Sequence, residues 1–152
     1  MNFVRILGMN PSPYALQGTN CYLVGTGRHR VLLDTGEGRP EFHRLLDHVL
    51  AEVGCELCGI VLTHSHADHM GGVPQILRDR PGIYVRRFVP GGGWKVGCMG
   101  TPEDDRHPSK IWNGAFEPLQ DEAVLRVEGA TLRMLHTPGH ATDHAGRFMV
   151  GG

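Results

Sequence analysis

The sequence is short of several things, and each shortage closes off a class of protein. No stretch approaches the ~20 consecutive apolar residues that a membrane-spanning helix requires, so a helical membrane protein is not expected. Residues 1–7 are too brief for the apolar segment of a secretory leader and run straight into loop-forming residues. An excess of one charge is missing too: 15 basic side chains stand against 16 acidic ones, for a net charge of −1. A nucleic-acid surface usually shows as clustered Lys and Arg, and here Arg86-Arg87 is the only adjacent basic pair. Cysteine is scarce, with Cys21, Cys55, Cys58 and Cys98 too sparse for a disulfide scaffold. Cys55-Glu56-Leu57-Cys58 has the spacing of half a zinc knuckle or of a redox pair. Cys21 and Cys98 each stand alone, so no second ligand pair completes a structural zinc site. Two plain thiols at a helix-to-strand junction is the simpler reading. These features together predict a cytoplasmic protein, with the mitochondrial matrix as the alternative.

Two residue types are in excess. Glycine occupies 22 of 152 positions, about twice its usual share, and there are 10 histidines. The first relaxes the backbone where it must turn sharply, and the second is the commonest metal ligand.

Hydrophobic patterning predicts one mixed α/β layered domain without internal repeats. Strands are expected at 3–7, 19–24, 30–33, 57–62, 83–85, 123–127, 130–135 and 147–150. Gly25-Thr26-Gly27 and Glu128-Gly129 mark two hairpins. The clearest helix spans 40–53, with Pro40 suited to its first position, an apolar stripe of Phe42, Leu45, Leu46, Val49 and Leu50, and Gly54 as its cap. A shorter helix is expected at 73–80, opened by Pro74. Residues 88–118 show no periodicity, and a loop of that length is usually functional or mobile.

The most informative segment follows the apolar run 57–62: His64-Ser65-His66-Ala67-Asp68-His69. Residues two apart on an extended chain share a face, so His64 and His66 can address one metal ion. The chain must then turn, which sets Asp68 and His69 within reach of a second ion, and Gly71 and Gly72 allow the tight fold that follows. Imidazoles and a carboxylate at this density are a zinc-type donor set. A second cluster, His136-Thr137-Pro138-Gly139-His140 with Asp143-His144 behind it, also follows a strand, which makes His140 the third ligand. His136 reads as an ordinary strand-end histidine. His29, His43, His48 and His107 receive no role.

These motifs, with Gly18-Thr19-Asn20 and Leu33-Asp34-Thr35-Gly36, resemble the metallo-β-lactamase superfamily, whose fold is an αβ/βα sandwich with metals at one rim. Asn10-Pro11, Leu16-Gln17-Gly18-Thr19-Asn20, Tyr22-Leu23-Val24-Gly25-Thr26-Gly27 and Glu128-Gly129-Ala130-Thr131-Leu132-Arg133 resemble more closely its beta-lactamase-like protein 2 group. Members of that group are endoribonucleases acting on single-stranded RNA, and fungal relatives are thioesterases for acyl carriers. The resemblance implies that His64, His66 and His140 hold a first zinc ion, and that Asp68 and His69 serve a second. Asp34 would brace the metal loop through hydrogen bonds, and His144 matches a recurring histidine behind the ligands. A hydroxide oriented by Asp68 would attack the scissile carbonyl or phosphorus. The resemblance also implies a bridging aspartate and a final histidine further along. Gly152 stands where that aspartate is expected. Residues 1–152 are therefore expected to be a C-terminally incomplete domain, the N-terminal half plus the start of the second, holding one metal. A second tight metal would call for a ligand from a partner subunit or from Asp143. The implied activity is a metal-dependent endoribonuclease, with an acyl (carrier protein) thioesterase or a non-catalytic metal-binding fragment as alternatives. The implied partners are single-stranded RNA or a small ester or thioester, with no membrane and with oligomeric state open.

Overall fold

Alternation of apolar and polar residues builds two sheets, and the computed structural model describes residues 3–89 and 117–149 of the chain. The central part of the unpatterned stretch, with Trp94, Cys98, His107 and Trp112, lies outside the described residues. The larger sheet has six strands in the order β1 (Phe3–Leu7), β2 (Asn20–Val24), β3 (His29–Leu33), β4 (Glu56–Leu62), β5 (Tyr84–Phe88) and β6 (Glu117–Leu119). Its first three strands pair antiparallel and the remaining pairings are parallel. The smaller sheet is an antiparallel set of β7 (Val124–Val127), β8 (Ala130–His136) and β9 (Ala145–Met149).

Helix α1 (Pro40–Val53) has the bounds its stripe predicts. Pro40 opens it and Gly54 closes it in the left-handed region at φ 70°, its N–H donating to the carbonyls near the helix end. Phe42, Leu46 and Leu50 face the six-stranded sheet, where they join Met70 and the helix α3 (Val73–Asp79) residues Val73 and Ile76. The opposite face of that sheet, carried by Val24, Val31 and Val61, packs against Leu125, Leu132 and Met134 of the smaller sheet. The layers run helices, large sheet, small sheet.

Strand β4 serves both cores. Its register against β3 slips between Arg30 and Val31, so that Leu57 opposes Arg30 and Gly59 opposes Val31. This bulge places Leu57 and Ile60 on the helix side although they are three residues apart. Cys58 is turned to the inter-sheet side and Cys55 stays on the helix side. The two thiols are thus split by the sheet, and both are free. The redox-pair reading of Cys55 and Cys58 is corrected accordingly.

Two elements differ from the sequence expectation. Strand β6 has only three residues and contains Pro118, which suits an edge position but erases any alternation. The single helical turn α2 (Ala67–Met70) is too short to show a period.

Candidate metal centre

Strand β4 ends at Leu62, and the chain leaves the sheet through Thr63 into His64-Ser65-His66 before entering α2. His66 keeps extended backbone at φ −67°, ψ 146°, which preserves the alternation that turns two imidazoles the same way. Their ring centroids lie 4.4 Å apart. His140 comes from the loop between β8 and β9, its ring 5.0 Å from that of His64 and 4.8 Å from that of His66. One ring nitrogen from each of the three residues falls within 4.8 Å of the others, the only such group of three or more among the described residues.

The loop that presents these residues is clamped by the segment after β3. Asp34 sits at φ +58°, a left-handed conformation that few side chains tolerate. Its carboxylate accepts from the Thr63 N–H at 2.8 Å, from the Thr63 hydroxyl at 2.8 Å and from His69 Nδ1 at 2.9 Å. Thr35 donates its N–H and its hydroxyl to the His69 carbonyl at 2.7 Å and 2.9 Å. Gly71 and Gly72 lie against the same segment, where an added Cβ would come within 2.5 Å of the Glu37 backbone or 2.4 Å of the Thr35 carbonyl oxygen. Asp34 thus ties Thr63, at the start of the histidine loop, to His69 at its far end.

Proton counting then settles which imidazole nitrogen is free. The single hydroxyl proton of Thr63 goes to Asp34, leaving its oxygen to accept from His64 Nδ1 at 2.8 Å. With Nδ1 protonated, Nε2 of the neutral ring carries a lone pair. His64 is 2% exposed, and its Nε2 is buried without a hydrogen-bond partner. Burial, with the neighbouring His69 and His66 adding to it, pushes the His64 pKa down to about 2. Burial and the adjacent His140 lower that of His66. An orphaned, neutral nitrogen grouped with two further imidazoles fits a divalent cation.

The same accounting protonates His69 on Nδ1, facing Asp34, and leaves Nε2 at 3.5 Å from Asp68 Oδ2. Asp68 and His69 are near each other and His69 is close to His64, ring to ring at 4.2 Å, but they are not part of the three-histidine group. His144 lies 5.2 Å from the His64 ring, with Nδ1 at 3.0 Å from the Thr137 hydroxyl and 3.2 Å from its carbonyl. It closes the His140 loop. Asp143 is fully buried and faces Arg87, so it is not placed as a reserve ligand.

Sequence reasoning missed three contributors. Thr63 relays Asp34 to His64, and its motif position was the only signal available. His136 stacks on Phe88 at 4.4 Å and its Nε2 meets the Thr142 carbonyl at 2.9 Å, so it holds the loop rather than merely ending a strand. Arg87, which the sequence shows only as half of a basic pair, is 1% exposed.

Comparison with known proteins places this geometry. The profile described as "Metallo-beta-lactamase superfamily" matches residues 15–149. The chain is 41% identical over 145 residues to an atrochrysone carboxyl ACP thioesterase of Cryptosporiopsis sp. (strain 8999), covering 93% of this chain and 38% of that protein. It is 43% identical over 143 residues to a lactamase-like protein of Emericella nidulans, covering 93% and 39%. This chain thus spans about two-fifths of the length of the curated relatives it matches. Among solved structures, a subclass B3 metallo-beta-lactamase of Bradyrhizobium japonicum superposes with TM-score 0.68 at 20% identity, over 97% of this chain and 53% of that one. ETHE1 from Myxococcus xanthus gives 0.63 at 22%, over 98% and 54%. At such identities these two speak for the fold alone.

Proposed function

The chain belongs to the metallo-beta-lactamase superfamily, and from that premise we propose that its three-histidine group serves metal-dependent hydrolysis of an acyl thioester of the carrier-protein type. The orphaned Nε2 of neutral His64, gathered with His66 and His140, is the observation that carries the hydrolytic reading. The substrate class rests on the relatives, several of which are named as acyl carrier protein thioesterases. Those names favour the thioesterase alternative over the endoribonuclease expected from the sequence. The near-neutral net charge of −1 points the same way, since RNA binding draws on basic clusters.

His64, His66 and His140 would hold the cation, and zinc suits three neutral imidazoles with a position left open. A divalent cation there supplies Lewis acidity to a water nucleophile and to the carbonyl under attack. The chain's own residues do the rest. Asp34, through Thr63, keeps His64 in the tautomer whose Nε2 is free. Asp68, with its side chain 38% exposed, would take a proton from the attacking water. His69 is held by Asp34 through Nδ1, with its Nε2 3.5 Å from Asp68 Oδ2.

Release of free thiol from an acyl-pantetheine thioester, with and without chelator, tests the proposal, with single-stranded RNA cleavage run alongside. Chelator-sensitive thiol release and intact RNA are expected. Chelator-sensitive RNA cleavage without thiol release would overturn the substrate class. Binding of zinc without turnover of either substrate would leave a metal-binding role alone.

A further inference from the structure

We propose that the buried Arg87–Asp143 ion pair is a positioning device that sets the reach of His140 toward His64 and His66, an inference that rests on the metal-site reading above. The three candidate ligands come from two different sheets. His64 and His66 leave the end of β4 in the large sheet, whereas His140 hangs from the β8–β9 loop of the small one. Something must fix the distance between the sheets at this rim to well under the length of a side chain.

Three ties do so. The Ala145 N–H donates to the Thr63 carbonyl at 2.9 Å, joining the start of β9 to the residue that Asp34 braces. His136 stacks on Phe88 of β5. Between them, Arg87 of β5 reaches Asp143, Nη1 to Oδ2 at 3.5 Å, with the two side chains 1% and 0% exposed. Asp143 lies in the turn closed by the His144 N–H on the Ala141 carbonyl, three residues after His140. Pulling Asp143 toward β5 therefore sets where that turn, and His140 just before it, can sit.

The chemistry of the tie argues for aim over stability. Removing two full charges from water is costly, and an apolar pair of similar volume commonly stabilises a fold as well or better. An apolar contact tolerates sliding, whereas two opposite charges buried together are drawn toward each other. Arg86, next along the strand, shows the contrast: it pairs with exposed Glu117 and lies over the Tyr84 ring.

The test compares the chain with Arg87→Lys and with the double variant Arg87→Met/Asp143→Leu, which leaves no unpaired charge behind. Urea unfolding without metal reports the fold, chelator competition reports zinc affinity, and the visible spectrum of the cobalt-substituted protein reports coordination geometry. The double variant is expected to unfold near the parent midpoint yet bind zinc about 10–100-fold more weakly, with a weakened cobalt band. Arg87→Lys is expected to fall between. Parent-like zinc affinity and cobalt spectrum in the folded double variant would overturn the proposal. So would failure of both variants to fold, because the pair would then serve the fold itself. His64→Ala, measured in parallel, separates this from the metal-site reading: parent-like zinc binding by His64→Ala would sink that reading and this inference together.

Discussion

Asp34 shows how much of a site one side chain can govern. It occupies a left-handed backbone position and accepts from two different residues that flank or form the histidine loop. Asp34→Asn keeps the backbone tolerance but puts an amide donor in place of one acceptor oxygen. His69 and Thr63 then lose their common partner, and His64 its enforced tautomer. Zinc affinity should fall about 10–100-fold with the chain still folded, as chelator competition would show; an unaltered affinity would reduce Asp34 to an ordinary loop residue. Away from the site, His43 on α1 offers a pH test. Burial lowers its pKa from 6.5, opposed by Asp79 and Asp47 and aided by Arg80 and Arg78. Its Nε2 is buried without a partner. With the native pKa depressed, the unfolded chain takes up the proton first as pH falls below 6.5, so this contribution to stability is present above that pH and is lost below it. His43→Leu should therefore lose less stability than the parent between pH 8 and pH 5.5 by urea unfolding (roughly the window in which a histidine titrates). Parallel curves would refute it.

At the scale of elements, α1 is the lid of one core and β4 is shared by two. Leu46 is fully buried beneath α1 among Phe42, Leu50 and the strand residues. Leu46→Ala should cost about 2–5 kcal/mol in chemical denaturation. Leu45, one residue away and only partly buried, should cost less, and equal losses would mean that the helix is rotated from the described position. The β4 bulge explains why an apolar run of continuous character can fill both sides: without the slip, Leu57 and Ile60 would face opposite cores.

For the whole molecule, the decisive quantity is stoichiometry. Among the described residues one group of three histidines converges, while Asp68 and His69 stand beside it as a pair. A pair is too few for a closed tetrahedral site. Calorimetric titration of this chain should therefore show one tight zinc per monomer, and two tight sites would overturn that count. No helix among the described residues is long and apolar enough to cross a membrane.

Much of this was legible along the chain. The strand and helix positions and the bounds of α1 follow from periods of a few residues, which neighbouring side chains record locally. So does the histidine cluster after β4, because strand alternation aims His64 and His66 together without help from elsewhere. What only the tertiary structure decided are relations between residues far apart in sequence. Asp34 meets Thr63 because β3 and β4 run parallel side by side, and a parallel pairing leaves no short-range mark. His140 meets His64 because the second sheet packs its β9 entry onto Thr63. Arg86 and Arg87 look alike in sequence, yet one is paired at the surface and the other lies buried against Asp143. Adjacent strand residues point opposite ways, and which of them ends up covered depends on elements that arrive from elsewhere in the chain.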